Sequence, residues 1–329
     1  MVSHDTLLLS REDVLACLDL DRAMQVIRDV YIAHEQGGVV AAPKSVLDLK
    51  QVGIAAWTNA TPSYYAPSAA AGLKWAGGYA GNPAKGLPFM LALIVLQDPE
   101  TGLPLAVMDG GEITAIKTGA TAAVCAREFS KPDRNTLALI GAGVQGTSCA
   151  CGVARAVNLA EIRILDAAPA SARRAAERLS REQGVPAHTC DSVQEAVQGS
   201  SIIVTATQAD EPLVRNEWIG PGAIAISIGS WQEFDHAFTL TADKILVDSY
   251  EDCVHRGELA KLIQAGRVTQ RDLYGTLSEV FAGKKPARTS PDERILIVPV
   301  GMGTHDIALA RSAYDSAVTA GIGRRFAFS

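Results

Sequence analysis

Residues 136–166 read TLALIGAGVQGTSCACGVARAVNLAEIRILD, and the order of parts in that stretch decides the fold. Thr136 to Ile140 is a short apolar run of the kind that forms a buried parallel strand. Gly141-Ala142-Gly143-Val144-Gln145-Gly146 follows at once, and a small-residue helix is expected behind it, over roughly 145–157. A second strand, Glu161 to Leu165, ends on Asp166, twenty positions after Gly146. Each part has a physical job in a βαβ dinucleotide site. Gly141 makes the tight turn, Gly143 lets backbone approach a pyrophosphate, and Gly146 lets the helix pack closely on its strand. Free N–H groups and the positive end of the helix dipole hold the phosphates. A carboxylate at Asp166 accepts hydrogen bonds from ribose hydroxyls and repels a 2′-phosphate, so NAD is expected over NADP.

Working outward, alternation of strands and helices continues to about residue 300. A helix is expected over about 170–183, a short strand near 185–189, and a capped turn of helix after Ser192. Ser201–Thr207, Ala223–Gly229, Lys244–Asp248 and Ile295–Val300 read as strands, with helices over 250–264 and about 269–283. That is a doubly wound parallel sheet of roughly six strands, the Rossmann arrangement. Upstream the pattern differs. One helix over 21–36 carries Ala23, Ile27, Val30, Tyr31 and His34 on one stripe, His34 there reading as a core or interface histidine rather than a ligand. Strand-like segments at Lys44–Leu49, Val52–Asn59, Ala70–Trp75, Phe89–Gln97 and Leu103–Met108 follow with only turns between them. Such a run implies a mainly antiparallel sheet in an α+β lobe. A helix over Ile113–Phe129 bridges into the nucleotide fold. The last helix, about 304–320, is expected to return to the first lobe. The chain therefore reads as α/β: residues 1–116 and 305–329 as a substrate-binding and dimerisation lobe, 117–304 as the NAD-binding domain.

Composition narrows the partners. A chain of 329 residues with 48% hydrophobic content is ample for two cores. A net charge of −6 and no concentrated basic stretch argue against a nucleic-acid partner. No apolar run approaches the length of a membrane span, and Leu7-Leu8-Leu9 among acids makes no signal peptide. Six cysteines are too sparse for a disulfide framework and read as reduced packing residues of a cytoplasmic protein. Cys149 and Cys151, two apart on an expected helix, make a poor metal pair, and no metal is expected.

Three lysines are candidates for chemistry. Lys74, in Ala71-Gly72-Leu73-Lys74-Trp75, sits where an ammonium is partly buried and must have a partner. Lys74 then serves either in a structural ion pair, or as the ligand of a substrate carboxylate or a tuned, catalytic proton donor. Lys117 stands one turn into the bridging helix, where cation and helix dipole both attract an anion. Lys44 follows Ala42-Pro43. Asp109 is placed to cap the bridging helix.

Four segments together resemble the ornithine cyclodeaminase/mu-crystallin family: AGLKWAGGYAGNPAKGLP, VMDGGEITAIKTGATAA, IGAGVQG with Asp166, and GMGTHDIALARSAYDSAVTAGIG. The resemblance spans nearly the whole chain in the family's order. It implies a homodimer paired through the split lobe, with a small imino- or amino-acid substrate. It implies that Lys74 holds a substrate carboxylate, with Lys44 and Lys117 as further substrate contacts. Cofactor contacts are implied at Val144, Gln145, Asp166, Thr205 or Thr207, Gly229, Ser230 and Gly301, and at Lys117 and Thr118 on the bridging helix. His305 and Asp306 fall by the expected nicotinamide loop, to supply a proton or to cap the last helix.

Departures choose among the family's reactions. Lys44 stands where the cyclodeaminases carry arginine, Lys117-Thr118 where nearly all members carry Arg-Thr, and Phe89 where a turn threonine is usual. Cyclodeaminases place an aspartate just after the glycine of the loop following the strand that corresponds to Ala223–Ile228; here Gly229-Ser230-Trp231-Gln232-Glu233-Phe234-Asp235 puts Trp231 there. The expected function is an NAD(H)-dependent imine reductase or amino-acid dehydrogenase, with a dicarboxylic imine such as iminosuccinate suggested by the three lysines. Ornithine cyclodeaminase is the alternative within the family, and a non-catalytic nucleotide and small-molecule binding protein the alternative outside enzymology.

Overall fold

The computed structural model describes residues 5–328. In chain order it holds β1 (Asp5–Leu9), α1 (Arg11–Cys17), α2 (Leu20–Glu35), β2 (Val39–Ala41), β3 (Ser45–Asp48), β4 (Ala56–Tyr65), β5 (Ala70–Tyr79), β6 (Met90–Gln97), β7 (Pro104–Asp109) and α3 (Gly110–Phe129). Next come β8 (Asn135–Ile140), α4 (Val144–Ala156), β9 (Leu159–Leu165), α5 (Pro169–Gln183), β10 (Ala187–Thr189), α6 (Val193–Val197), β11 (Ile202–Thr205), β12 (Ile224–Ser227), α7 (His236–Thr241) and β13 (Lys244–Val247). The chain finishes with α8 (Tyr250–Cys253), α9 (Ala260–Gln264), β14 (Gly275–Thr276), α10 (Leu277–Phe281), β15 (Ile295–Val298), α11 (Gly303–Ala320) and β16 (Arg324–Ala327). Two compact units result: described residues up to Lys117 with those from Met302 onward, and Thr118–Gly301. Residues 1–4 and 329, the extremes of the expected first lobe, lie outside the described residues.

The first unit is built on a sheet in the order β16-β1-β7-β6-β5-β4-β2, with β3 also paired to β4. All its pairs are antiparallel except β1 with β7. The turn between β6 and β7 is fixed by the Asp98 carboxylate, which accepts the N–H groups of Glu100 and Thr101. Strand alternation sorts the side chains: Ala92, Ile94 and Leu96 of β6 point inward and are buried, while Leu91 and Leu93 face outward. Helix α11 covers the inner face, packing on β4, β5, β6 and α2. The sequence reading starts β4 four residues early and stops β5 four residues short. Strands β2 and β16 escape it because three-residue VVA and the charged run RRFA lack any alternation to read.

The second unit carries an eight-stranded, wholly parallel sheet, β10-β9-β8-β11-β12-β15-β13-β14. Sequence order reverses beside β8, which places the switch point at the C-terminal ends of β8 and β11. The sheet is wider than the six strands expected. The helices expected over 250–264 and 269–283 are broken into α8, α9 and α10, with β14 taking part of the second. Gly257, at φ +83°, interrupts the first, and the chain then turns so that Glu258 buries its carboxylate against backbone N–H groups. Among the described residues no helix is long and apolar enough to cross a membrane, and no group of His, Cys, Asp and Glu is placed to hold a metal ion.

Candidate functional site

In the first unit β5, α3 and α11 bring three charged side chains together. Lys74 Nζ lies 2.8 Å from Asp306 Oδ2, and Lys117 Nζ lies 3.0 Å from the same oxygen. Asp306 is in the first turn of α11, which has no side-chain cap, so the helix dipole also favours its charge. Burial opposes ionisation of Asp306, yet Lys117 and Lys74 hold its carboxyl below the usual range. At Lys74 burial wins: desolvation outweighs the attraction of Asp306, Lys117 adds repulsion, and the ammonium falls to about 8. The other Asp306 oxygen, Oδ1, is buried and has no hydrogen-bond partner.

The strands around Lys74 supply hydroxyls. Thr61 pairs with Lys74 across β4 and β5, and the adjoining Ser63 Oγ and the Thr304 Oγ1 of α11 are buried without partners. Sequence reasoning missed Thr61, opposite Lys74, and Ser63, opposite Gly72, because the expected strand stops at Asn59, short of both. Lys44 immediately precedes β3. The first residue of β3, Ser45, pairs with Ala60, the neighbour of Thr61 on β4.

His305 requires a correction. Its ring is 1% exposed and packs edge-on against Tyr31, centroids 4.6 Å apart. Burial, reinforced by Lys117, lowers it to about 3, so it stays neutral at physiological pH and offers no imidazolium proton. It does not cap α11 either, since the N-cap is Met302. Asp109 does cap α3, accepting the Glu112 N–H at 2.8 Å.

In the second unit the fingerprint has the shape that a pyrophosphate needs. Gly141 holds φ +97°, and a Cβ on Gly146 would overlap the Gly141 carbonyl oxygen. Gly143 is the N-cap of α4, makes no side-chain cap, and faces open space, with Val144 73% exposed beside it. Gln145 Oε1 is buried without a partner. Asp166, at the end of β9, accepts the N–H groups of Ala142 at 2.7 Å and Ala168 at 2.8 Å, which fixes its carboxylate over the turn. These groups fit a dinucleotide. A carboxylate at Asp166 suits free ribose hydroxyls.

The remaining expected cofactor contacts are not all alike. Thr205 is fully buried, its hydroxyl given to Glu233 at 2.7 Å; Thr207 and Gly229 give Glu233 their backbone N–H groups. Ser230 and Trp231 are exposed in the turn that follows. Gly301 donates its N–H to Asp248 at 2.6 Å. Thr118 is half-buried on α3. Glu258, which accepts the Glu233 N–H, was not singled out, because a lone glutamate after glycine carries no signal of burial.

Comparison with known proteins follows this geometry. The model of the ornithine cyclodeaminase/mu-crystallin family matches residues 4–321. The mouse (Mus musculus) ketimine reductase mu-crystallin is 32% identical over 287 residues, covering 85% of this chain and 86% of its own. The structure of Thermococcus litoralis Delta(1)-pyrroline-2-carboxylate reductase in complex with NADH and L-proline superposes with a TM-score of 0.93 at 30% identity, covering 97% of this chain and 99% of that one. An archaeal alanine dehydrogenase dimer with bound NAD gives the same TM-score at 30% identity, with coverages of 99% and 100%. The fold, the nucleotide turn and the similarity along the whole length agree, and the chain belongs to the ornithine cyclodeaminase/mu-crystallin family.

Proposed function

We propose that the chain is an NAD(H)-dependent imine reductase or amino-acid dehydrogenase that forms or oxidises a small L-amino acid. The observation that carries this reading is the buried cluster in which Lys74 and Lys117 both meet Asp306 Oδ2 and leave Oδ1 without a partner. The fold surrounds the Lys74 ammonium with too little compensation, leaving it at about 8 despite Asp306 at 2.8 Å. A second anion restores that charge, and a substrate carboxylate is such an anion. Asp306 Oδ1, buried and unpartnered, then accepts the N–H of a protonated imine on the same substrate. One end of the cluster takes a carboxylate and the other a cationic nitrogen, which is the pattern of an α-imino acid.

The fingerprint from Gly141 to Gly146, with Asp166, holds NAD(H), and the cofactor when bound supplies the hydride. The protein's residues do the rest. Lys74 and Lys117 fix the carboxylate end, Asp306 favours the iminium over the neutral imine, and the buried setting keeps these charges undiluted by water. Lys44, just before β3, is the group assigned to a second carboxylate, which makes dicarboxylic imines such as iminosuccinate substrates to test.

Relatives named for ketimine reduction, pyrroline-carboxylate reduction and alanine oxidation support the reaction type. We assign a homodimer through the outer face of the first sheet, where Trp75 pairs with Leu93 and both are about half exposed beside Leu91. Free cysteines, four of them buried, suit the cytoplasm. The test is NADH oxidation with pyruvate, glyoxylate or oxaloacetate plus ammonia, and with cyclic imines. Turnover with one of them supports the reading. Tight NADH binding with no turnover on any identifies a binding protein, and proline with ammonia from ornithine identifies a cyclodeaminase.

A further inference from the structure

The second unit contains two buried carboxyl groups that the proposed function leaves unused. Glu233 and Glu258 are both 0% exposed. Glu233 joins two strand ends: Oε2 accepts the Thr205 hydroxyl at 2.7 Å and the Gly229 N–H at 3.0 Å, and Oε1 accepts the Thr207 N–H at 2.6 Å. Glu258 in turn holds the Glu233 segment, with Oε2 accepting the Glu233 N–H at 2.7 Å and the Phe234 N–H 3.3 Å from both its oxygens.

Between the carboxyls stands the Ser227 hydroxyl, 3.3 Å from Glu233 Oε2 and 3.3 Å from Glu258 Oε2. A hydroxyl has one hydrogen to donate and lone pairs to accept with. It satisfies both neighbours only if one carboxyl carries a proton and donates to Ser227, while Ser227 donates to the other. The remaining groups facing the pair include the Thr205 and Thr207 hydroxyls, the N–H groups of Thr207, Gly229, Glu233 and Phe234, and the Cys149 thiol of α4. None of these is a cation. Burial accordingly pushes the Glu258 carboxyl up to about 8, with the charge of Glu233 adding to the rise, and Glu233 is raised too.

We propose that Glu233 and Glu258 are positioning residues for the nicotinamide half of the cofactor, sharing one proton through Ser227 and thereby fixing the Thr207 amide and the Gly229–Ser230 turn. This inference rests on the reading that the unit binds NAD(H). The groups it fixes lie at the C-terminal edge of β11 and β12, where ligands of open parallel sheets bind. The proton sits on Glu258 and is donated to Ser227 Oγ; the Ser227 hydrogen points at Glu233, which stays an acceptor for Thr205, Thr207 and Gly229. Loss of that proton to solvent base leaves two like charges across one hydroxyl and loosens the strand ends.

The experiment is an NADH binding titration by fluorescence on the full chain between pH 6.5 and 9.5, for the wild type, Glu258→Gln and Glu233→Gln. Wild-type Kd is expected to rise about tenfold across this range, a usual size for coupled equilibria. In Glu258→Gln the pH dependence disappears, because the amide donates to Ser227 and has no proton to lose. In Glu233→Gln the Kd is raised at every pH, because an amide NH2 faces backbone N–H donors. Should Glu233→Gln fail to fold, infrared spectroscopy carries the test: a protonated-carboxyl C=O band present at pH 7 in the wild type and absent from Glu258→Gln. An unchanged pH dependence in Glu258→Gln, wild-type NADH affinity in Glu233→Gln, or no such band in the wild type overturns the proposal. Normal pH-linked NADH binding without imine turnover overturns the reductase reading alone; a wild type that binds no NADH overturns both.

Discussion

Replacing Lys74 with methionine separates a structural ion pair from a substrate ligand. The ammonium is lowered from its ordinary 10.5 to about 8. A difference of that size corresponds to about 3 kcal/mol disfavouring the charged form in the folded state. A base whose folded value is lowered carries this cost fully below pH 8 and sheds it as pH rises towards 10.5, so stability rises through that window. Lys74→Met removes the cost, and Asp306 retains Lys117 at 3.0 Å. The thermal midpoint at pH 7 should therefore stay level or rise. Catalysis should suffer, because the substrate carboxylate loses a charge-assisted hydrogen bond in a desolvated site. Truncations of this kind cost roughly 2–5 kcal/mol, or about 30- to several-thousand-fold in kcat/KM. NADH affinity should change little.

The pH profile adds an independent reading. Lys74 must be protonated to hold the carboxylate, so wild-type kcat/KM should fall above about pH 8. The variant should lose that alkaline limb. One preparation of each protein, assayed for kcat/KM against pH, NADH binding and thermal midpoint, decides the matter. Near-normal kcat/KM with a clearly lowered midpoint would refute the reasoning, as would an alkaline limb that survives in the variant.

Other consequences are open to direct measurement. Asp166→Ser, which removes the carboxylate held by the Ala142 and Ala168 N–H groups, should erode a preference for NADH over NADPH of at least about tenfold, or about 1.4 kcal/mol; equal kcat/KM for both cofactors in the wild type would reject the assignment. Asp306→Asn leaves Lys74 and Lys117 buried beside a neutral amide, and breaking a buried pair in this way costs about 3–5 kcal/mol; loss of the Asp306 attraction lowers Lys74 further, so the loss of midpoint against wild type should be greatest at low pH and shrink as pH rises towards 8. Ornithine with catalytic NAD should yield little proline, since the family resemblance would put Trp231 where cyclodeaminases carry an aspartate; proline release at about 1 per second, an ordinary enzymatic rate, would contradict this. Leu93→Glu puts a charge on the outer face of the first sheet and should shift the protein to monomers in sedimentation analysis, whereas an unchanged dimer would place the interface elsewhere.

Local rules made the second unit legible and left parts of the first obscure. Strand β8, the turn from Gly141 to Gly146 and Asp166 were readable because each depends on neighbours in sequence. A parallel strand buried on both faces needs a continuous apolar run, and a phosphate turn needs glycine where a Cβ collides. The cluster of Lys74, Lys117 and Asp306 joins residues up to 232 positions apart, and nothing local says that both ammoniums meet one oxygen. His305 misled for the same reason. A histidine beside an aspartate at the head of a helix suggests acid–base work, but the edge contact with Tyr31 and the burial that keep it neutral are tertiary facts. Glu258 shows the converse, a buried residue with no motif, just past the Gly257 at which an expected helix breaks.

Lysine at position 117 also gains meaning only beside Asp306. Arginine, which the family resemblance would place there, presents a planar fork whose parallel N–H groups engage both oxygens of a carboxylate. An ammonium is a point charge and engages one. Here both lysines converge on Oδ2, and Oδ1 keeps its lone pairs in a buried setting where an unmet acceptor is costly. A substrate that brings a protonated nitrogen to Oδ1 relieves that cost, and the same substrate's carboxylate relieves the under-compensated Lys74. The two deficits are complementary and lie within one cluster, so a ligand carrying both charges gains more than either a simple acid or a simple amine. On the proposed reading, lysine at position 117 thus leaves in place the acceptor for the nitrogen of an α-imino acid.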